Sequence, residues 1–200
     1  MKALVTGFEP FGGAGTNASI EAVRRVQARV GNIEVTVAEL PTSYARSHLA
    51  LAAEIARVKP DIVLCVGQAG ERAALCVERV AVNIQDAEIR DNDGALPVDT
   101  AIVAGGPAAY LATLPVRATV AALQAAQLPA QLSMSAGTFV CNHVFYHLMH
   151  LAAARPQAFR GGFLHVPALS RPPGREAPAM TLDAIVRGIE IALAASTAKE

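Results

Sequence analysis

Cys141 is the residue best placed for chemistry, because it lies where a loop of small residues meets an apolar helical segment. Ser135-Ala136-Gly137 precedes it closely in the chain. The first turn of a helix has unpaired N–H groups and a partial positive charge, so a thiol there ionises more readily than a free one. The alternative is a small buried hydrophobic residue, as most free cysteines are. The small-residue loop favours chemistry, since it lets another molecule approach the backbone closely.

A nucleophilic cysteine needs a general base, and its own helix does not supply one. The residues three and four positions after Cys141 share its helix face, and they are Val144 and Phe145. The candidate base is His165, which ends an apolar predicted strand. Ligands of parallel sheets collect beyond the carboxyl ends of the strands, where His165 should lie. The alternative is a hydrogen-bonded histidine at the entrance of a loop.

A carboxylate that orients the imidazole would complete a catalytic triad. Glu78 stands in an otherwise apolar segment, 75–82, where a buried carboxylate is costly unless it is paired. An edge strand that exposes Glu78 and Arg79 to water explains the same pattern equally well. Turn chemistry accounts for the rival carboxylates, which are Asp86, Asp91, Asp93 and Asp99.

Two further histidines, His143 and His147, have the i, i+4 spacing of a metal-binding pair. No acidic or thiol ligand is spaced along the sequence to complete such a site, and no Glu lies between them. His48 is expected on an ordinary surface helix. We therefore expect packed or solvated histidines here, and neither a metal nor an organic cofactor.

Apolar runs and helical segments alternate over most of the chain. The predicted strands cover residues 2–6, 33–40, 62–67, 75–82, 128–133 and 161–165. The predicted helices run from Asn17 or Ser19 to about 30, and over 43–58, 115–127, 141–154 and 181–195. We expect irregular structure over 95–114 and a surface loop over 166–178. This alternation is typical of an α/β fold, here a single-domain three-layer sandwich with a mostly parallel twisted sheet over residues 1–200.

The composition excludes several classes of protein. Of the 200 residues, 52 % are hydrophobic and 17 % are charged, which indicates a globular chain with a large core. The net charge is zero, so no electrostatic footprint for nucleic acid or an anionic membrane is present. The three cysteines have no framework spacing, and neither a signal-peptide pattern nor a membrane-length apolar run is seen. We therefore expect a cytoplasmic protein.

Several longer motifs are jointly specific and extend nearly from end to end of the chain. They cover residues 5–13, 66–70, 78–83, 135–142 and 165–167. With these motifs the chain resembles the pyrrolidone carboxyl peptidase (pyroglutamyl peptidase I) family of cysteine exopeptidases. The triad of that family falls on Cys141, His165 and Glu78, the same three positions considered above.

The resemblance implies an activity: removal of N-terminal pyroglutamyl (5-oxoprolyl) residues from peptides through a thioester acyl-enzyme, without a cofactor. The pyroglutamyl ring is a small neutral lactam, which suits an apolar slot with a few backbone partners. By resemblance, Phe8 and Phe11 are the faces of this slot and Asn17 braces its loop. The other substrate-binding residues that the resemblance implies are Thr42, Gln68 (through its backbone), Ile89, Phe139 and Val140. It also implies a homo-oligomer, a dimer or tetramer.

One segment departs from the family pattern, which has Arg where this chain has Glu88 and Pro where it has Arg90. In the family that Arg lies near the reacting carbonyl, so an acid there would disfavour a thiolate and an oxyanion. Arg90 replacing the missing charge, a slower enzyme and a shifted substrate all remain open. Two other classes also remain open: an α/β enzyme similar to nucleoside phosphorylases, and a catalytically inactive relative that acts as a binding protein.

Overall fold

The computed structural model describes residues 1–155, 158–169 and 179–197. The strands are β1 (Lys2–Phe8), β2 (Arg29–Val30), β3 (Ile33–Leu40), β4 (Ile62–Gln68), β5 (Leu75–Glu78), β6 (Val80–Val82), β7 (Ala109–Leu111), β8 (Ala130–Ser133) and β9 (Arg160–Val166). The helices are α1 (Ala18–Val23), α2 (Ser47–Val58), α3 (Val116–Ala125), α4 (Val140–Ala154) and α5 (Leu182–Ala195).

The main sheet has seven strands in the order β2-β3-β1-β4-β9-β5-β8. Strands β3, β1, β4 and β9 pair in parallel, as do β5 and β8, whereas β2 is antiparallel to β3 and β5 is antiparallel to β9. The central strand β4 is a continuous apolar run buried along almost its whole length, as expected for a strand covered on both faces. The predicted mostly parallel sheet is therefore confirmed.

Helices cover both faces of this sheet. Helix α5 contacts both α1 and α3 on one face, and α2 and α4 contact each other on the opposite face. Each face has its own cluster of buried apolar side chains, because alternate residues of β4, such as Cys65 and Val66, point to opposite sides. The arrangement confirms the three-layer sandwich. Within the described ranges, no helix has both the length and the apolar character needed to span a membrane.

The segment predicted as one strand over 75–82 forms two strands in different sheets. Strand β5 ends at Glu78, and β6 pairs antiparallel with β7 in a separate two-stranded sheet. Arg79 is the junction, since its N–H donates to Ser133 O (2.8 Å) and its carbonyl accepts from Ala112 N (2.9 Å). The prediction of irregular structure over 95–114 was therefore wrong at β7, whose pairing partner lies far away in sequence.

The first predicted helix is also shorter than expected. Helix α1 ends at Val23, and Arg29–Val30 pairs with β3 instead of continuing the helix. Asn17 caps this helix, its side chain accepting from Ser19 N (3.0 Å), and Thr181 caps α5 as predicted. Most of the predicted surface loop, residues 170–178, lies outside the described residues. A single domain over all of residues 1–200 stays a prediction.

Candidate active site

Cys141 is the second residue of α4, after an extended Phe139 that precedes the helix. It is only partly exposed, and its sulfur faces the sheet at Gly67 of β4. A Cβ atom built on Gly67 would lie 2.8 Å from Cys141 Sγ and 2.8 Å from Phe163 Cζ. Only glycine therefore fits beneath the sulfur, and this absence of a side chain lets the first turn of α4 approach the sheet.

His165 lies on β9 directly beside Gly67, its register partner on the parallel strand β4. The Cys141 sulfur lies over Gly67 of β4, and the neighbouring strand β9 is about 4.8 Å away. The sulfur is therefore close to the strand that carries His165. Both residues line the same cavity. Within the described part of the chain, no hydrogen bond joins the sulfur to the imidazole. Catalytic hydrogen bonds are often long before substrate binds and shorten in the complex.

Glu78 contacts the other side of the His165 imidazole. The distance between His165 Nδ1 and Glu78 Oε1 is 2.8 Å, and both side chains are buried. A carboxylate only accepts hydrogen bonds, so Nδ1 carries the ring proton and Nε2 keeps a free lone pair. Glu78 reaches His165 from the antiparallel strand β5, where its own register partner is Phe163. Its alternative interpretation, a solvated edge position, does not hold, because β5 lies between β9 and β8.

Arg72 is a residue of this site that the sequence pattern did not predict. Its Nη1 donates to Glu78 Oε1 (2.6 Å) and Ser133 Oγ (3.1 Å), and its Nη2 donates to Ser135 O (2.8 Å). The guanidinium thus supplies the cation that a buried carboxylate needs, and it also holds the loop before Cys141. The buried acid at Glu78 was itself the clue, because it required a cationic partner somewhere in the chain.

The protonation states of the site follow from its burial. Burial, with a smaller contribution from the Glu78 charge, raises the pKa of the Cys141 thiol to about 12, although Arg72 and the Cys141 backbone N–H oppose the rise. Burial also lowers the pKa of His165 from its ordinary value, although its hydrogen bond to Glu78 opposes this change. Both groups are therefore uncharged at neutral pH. The acidifying effect expected from the helix terminus is present but is outweighed by desolvation.

The cavity at Cys141 has a volume of about 140 Å³. Drug-sized ligands occupy pockets of roughly 300–1,000 Å³, so this one suits a single small ring. Its lining residues are Phe8, Phe11, Asn17, Thr42, Gln68, Ala136, Phe139, Val140, Cys141 and His165. All of the predicted substrate-binding residues except Ile89 are among them. Ile89 is 47 % exposed and lies outside the lining.

The loop that carries Phe11 is held by a small hydrogen-bond network around Glu9. Asn17 Nδ2 and Thr42 Oγ1 donate to the Glu9 carbonyl (3.1 and 3.0 Å), and Asn92 Nδ2 donates to Glu9 Oε1 (2.8 Å). This loop places the Phe11 ring 5.9 Å from the Phe139 ring, centroid to centroid. The predicted bracing role of Asn17 agrees with these contacts.

The two residues that depart from the family pattern lie outside the cavity lining. Glu88 and Arg90 are both exposed, and Arg90 Nη1 donates to Gly94 O (2.8 Å). The Arg90 guanidinium therefore does not bring a positive charge to the sulfur in this structure. Glu88 is not among the charges that shift the pKa of Cys141.

The chain is closely similar to known peptidases. The sequence pattern of the family described as pyroglutamyl peptidase matches residues 1–199. The chain is 48 % identical over 195 residues to pyrrolidone-carboxylate peptidase 1 of Ralstonia nicotianae, covering 95 % of this chain and 90 % of that one. It is 49 % identical over 197 residues to pyrrolidone-carboxylate peptidase of Cupriavidus taiwanensis, covering 96 % and 90 %.

Solved structures agree with these sequence matches. The crystal structure of pyroglutamyl peptidase I from Bacillus amyloliquefaciens superposes with a TM-score of 0.94 at 41 % identity, covering 98 % of this chain and 96 % of that one. Pyrrolidone carboxyl peptidase from Thermococcus litoralis superposes with a TM-score of 0.93 at 38 % identity, covering 98 % and 92 %. The chain belongs to the pyroglutamyl peptidase family of cysteine peptidases.

Proposed function

We propose that this peptidase releases N-terminal pyroglutamyl residues from peptides by acyl transfer to Cys141. The observation that carries the proposal is the shared location of Cys141, His165 and a small apolar cavity, with Glu78 bonded to the far side of the imidazole. The names of the similar peptidases, which refer to pyrrolidone carboxylate and pyroglutamyl groups, support the same substrate.

The lining of the cavity favours a neutral ring over a charged group. The lactam packs against the rings of Phe8 and Phe11, with Thr42, Phe139 and Val140 completing the walls. The backbone of Gln68, at the end of β4, pairs with the polar edge of the lactam. A free N-terminal glutamate would bring charges into this apolar space, and their desolvation would be costly. Selectivity for the cyclised residue then follows from the lining.

The reaction begins with an uncharged thiol and an uncharged imidazole. As Sγ of Cys141 attacks the pyroglutamyl carbonyl, Nε2 of His165 takes the thiol proton. The backbone N–H groups of the first turn of α4 stabilise the oxyanion. His165 then protonates the departing amine, which leaves a thioester on Cys141. A water molecule activated by His165 hydrolyses this thioester and releases pyroglutamate.

Glu78 and Arg72 act through His165 and not on the substrate. Glu78 accepts from Nδ1, which fixes the ring orientation and stabilises the imidazolium formed during each proton transfer. Arg72 holds the carboxylate in place. We also propose that the protein is cytoplasmic and, from the resemblance, that it is a homo-oligomer, a dimer or tetramer. Sedimentation of the purified chain measures its assembly state.

The nucleophile is tested with Cys141→Ala, using Cys76→Ala as the control at a buried thiol outside the cavity lining. Release of a fluorophore from a pyroglutamyl amide should fall at least about 10³-fold in Cys141→Ala and change little in Cys76→Ala. Acid quenching of the parent during turnover should trap one pyroglutamyl group on the peptide that contains Cys141. Substantial release by purified Cys141→Ala would overturn the proposal.

The same assay distinguishes the other two classes. Turnover in phosphate-free buffer rules out a phosphorolytic reaction. An inactive relative would bind pyroglutamyl peptides without cleaving them. Because Glu88 is exposed and outside the lining, we expect Glu88→Arg to change kcat/KM by less than about threefold. A much larger gain would indicate that Glu88 approaches the site once substrate is bound.

A further inference from the structure

We propose that His48, His143 and His147 form a binding site for a divalent transition-metal cation such as Zn²⁺, distinct from the cysteine cavity. The helical pair His143 and His147 lacked a third ligand in the sequence. The structure supplies His48 from α2, which packs against α4. One ring nitrogen from each of the three imidazoles lies within 4.8 Å of the other two.

The separation of two of these nitrogens matches a metal site. His143 Nε2 and His48 Nδ1 are 3.3 Å apart. Around a tetrahedral Zn²⁺ with Zn–N bonds of about 2.0–2.1 Å, neighbouring ligand atoms are separated by roughly 3.3 Å. The imidazoles of His143 and His147 also occupy successive turns of α4, the spacing at which two histidines chelate one ion.

His143 is oriented as metal ligands usually are. Its Nδ1 lies 3.1 Å from Gln85 Oε1, which accepts the ring proton and leaves the lone pair of Nε2 free for a cation. His48 Nδ1 lies 3.1 Å from the Tyr44 carbonyl. Coordination through this nitrogen exchanges that hydrogen bond for a metal bond, and the ring proton is then carried by Nε2.

The remaining ring must turn to close the site. The rings of His48 and His147 are nearly parallel, with centroids 4.4 Å apart and an interplanar angle of 16°. Two parallel rings cannot both point at one ion, so His147 has to rotate about its Cβ–Cγ bond. Both side chains are only partly buried, which leaves space for this rotation and an open side for a water as the fourth ligand.

The three-histidine site is separate from the Cys141 sulfur, but it is adjacent to the wall of the Cys141 cavity. The Tyr44 ring packs edge-on against His143 (centroids 5.3 Å apart) and against Phe139 of the cavity lining (5.7 Å). A bound cation therefore links α2 to the first half of α4, and it should raise the thermal stability of the protein by mass action.

The experiment uses full-length Cys141→Ser protein, so that the catalytic thiol cannot bind the metal. Isothermal titration with Zn²⁺ should show one site with a micromolar or tighter dissociation constant. With Co²⁺, visible d–d absorption typical of four-coordinate nitrogen and oxygen ligands should appear, without the near-ultraviolet thiolate charge-transfer band. The melting temperature should rise with added Zn²⁺.

His147→Gln and His48→Gln should each weaken Zn²⁺ binding at least about tenfold. His150→Gln, one turn further along α4 and bonded to Tyr110 OH (2.8 Å), is the matched control and should bind as the parent does. Melting curves without metal establish that each variant is folded. Unchanged affinity in folded His147→Gln and His48→Gln, or failure of the parent to bind Zn²⁺, would overturn the site. Neither result depends on peptidase activity.

Discussion

At Cys141 two local effects oppose each other: the partial positive charge of the first turn of α4 and the low polarity of the cavity floor. The pKa of about 12 means that the second effect dominates before substrate binds. In the proposed mechanism, proton transfer to His165 therefore accompanies attack on the substrate. This distinguishes the site from cysteine peptidases in which a thiolate–imidazolium pair exists beforehand.

Alkylation of the free enzyme by iodoacetamide tests this protonation state. Only the thiolate reacts, so the rate at Cys141 should rise about tenfold per pH unit below the pKa, and should still be rising above pH 9. The rate is measured by mass spectrometry of the Cys141 peptide across a pH series. A plateau that begins near pH 6 would instead indicate a preformed ion pair.

Arg72 should act as a positioning residue through Glu78 and His165. Its positive charge helps to lower the pKa of His165, so Arg72→Gln removes this effect and raises that pKa. In the proposed mechanism neutral His165 is the base, so activity should be lost as pH falls through its pKa. We therefore expect the acid limb of kcat/KM to move to higher pH, with kcat/KM at pH 7 lower by roughly 10- to 100-fold.

Arg72→Lys is the conservative comparison, because it keeps the charge but not the fork of donors. It should leave the acid limb in place and recover part of the activity. If Arg72→Gln lowered activity equally at all pH values, a purely structural role would explain the residue better.

Single residues were predictable where chemistry alone restricts the choice. The sequence favoured Cys141 by its loop and His165 by its strand end, whereas for Glu78 a buried, paired carboxylate and a solvated edge position explained the pattern equally well. Arg72 and the contact of His48 with α4 were not predictable, because they depend on which distant segments pack together. Ile89, which came from the resemblance, lies outside the cavity in the structure, and its role stays a prediction.

At the scale of elements, the site depends on how closely α4 approaches β4 and β9. Gly67 makes this approach possible, and Asn142 fixes the other side of the helix. The buried Asn142 side chain accepts from Val82 N (3.0 Å) and donates to Val82 O (2.9 Å) and Ile84 O (3.0 Å). The first turn of α4 is thus fixed between the main sheet and the end of β6, together with Ile84 just after it.

Gly67→Ala should therefore damage the site directly. The added methyl group would lie 2.8 Å from both Cys141 Sγ and Phe163 Cζ, so the sulfur has to move relative to His165. A displacement near 1 Å is expected to lower kcat/KM by about 10²-fold. Gly15→Ala is the control, because a Cβ there meets no atom within 4 Å. Equal activity of the two variants would show that the contact is easily relieved.

The errors in predicted elements have a common physical cause. The apolar run 75–82 looks continuous, but backbone bonds at Arg79 to Ser133 and Ala112 divide it between two sheets. Likewise, residues 29–30 follow a helical pattern and yet pair with β3. Local pattern does not reveal long-range pairing partners, and tertiary hydrogen bonds override it.

At the scale of the whole molecule, the sheet has two apolar cores on opposite faces, and the proposed active site lies next to only one of them. The proposed nucleophile Cys141 and Phe163 lie on the face covered by α2 and α4, whereas α1, α3 and α5 cover the other core. Phe145 of α4 packs on Phe163 (centroids 5.7 Å apart), which in turn packs on His165 (4.8 Å). Ile189 of α5 is fully buried in the opposite core.

Two substitutions, one in each core, should show this separation. Ile189→Val removes one methyl group and should lower the free energy of unfolding by about 0.5–1.5 kcal/mol. Phe145→Leu should lower it by about 1–2 kcal/mol. Only Phe145→Leu should also reduce kcat/KM, by roughly 3- to 10-fold, because it loosens the aromatic support of the His165 ring.

Urea unfolding and steady-state kinetics at 25 °C measure the two effects on the same preparations. Phe163 contacts both the core residue Phe145 and the His165 imidazole. Activity should therefore fall only when the substitution is on the Phe163 face of the sheet, whatever the size of the change in stability. If Ile189→Val lowered kcat/KM as much as Phe145→Leu, the two faces would be mechanically coupled through the sheet, and β9 would have to transmit the change to His165.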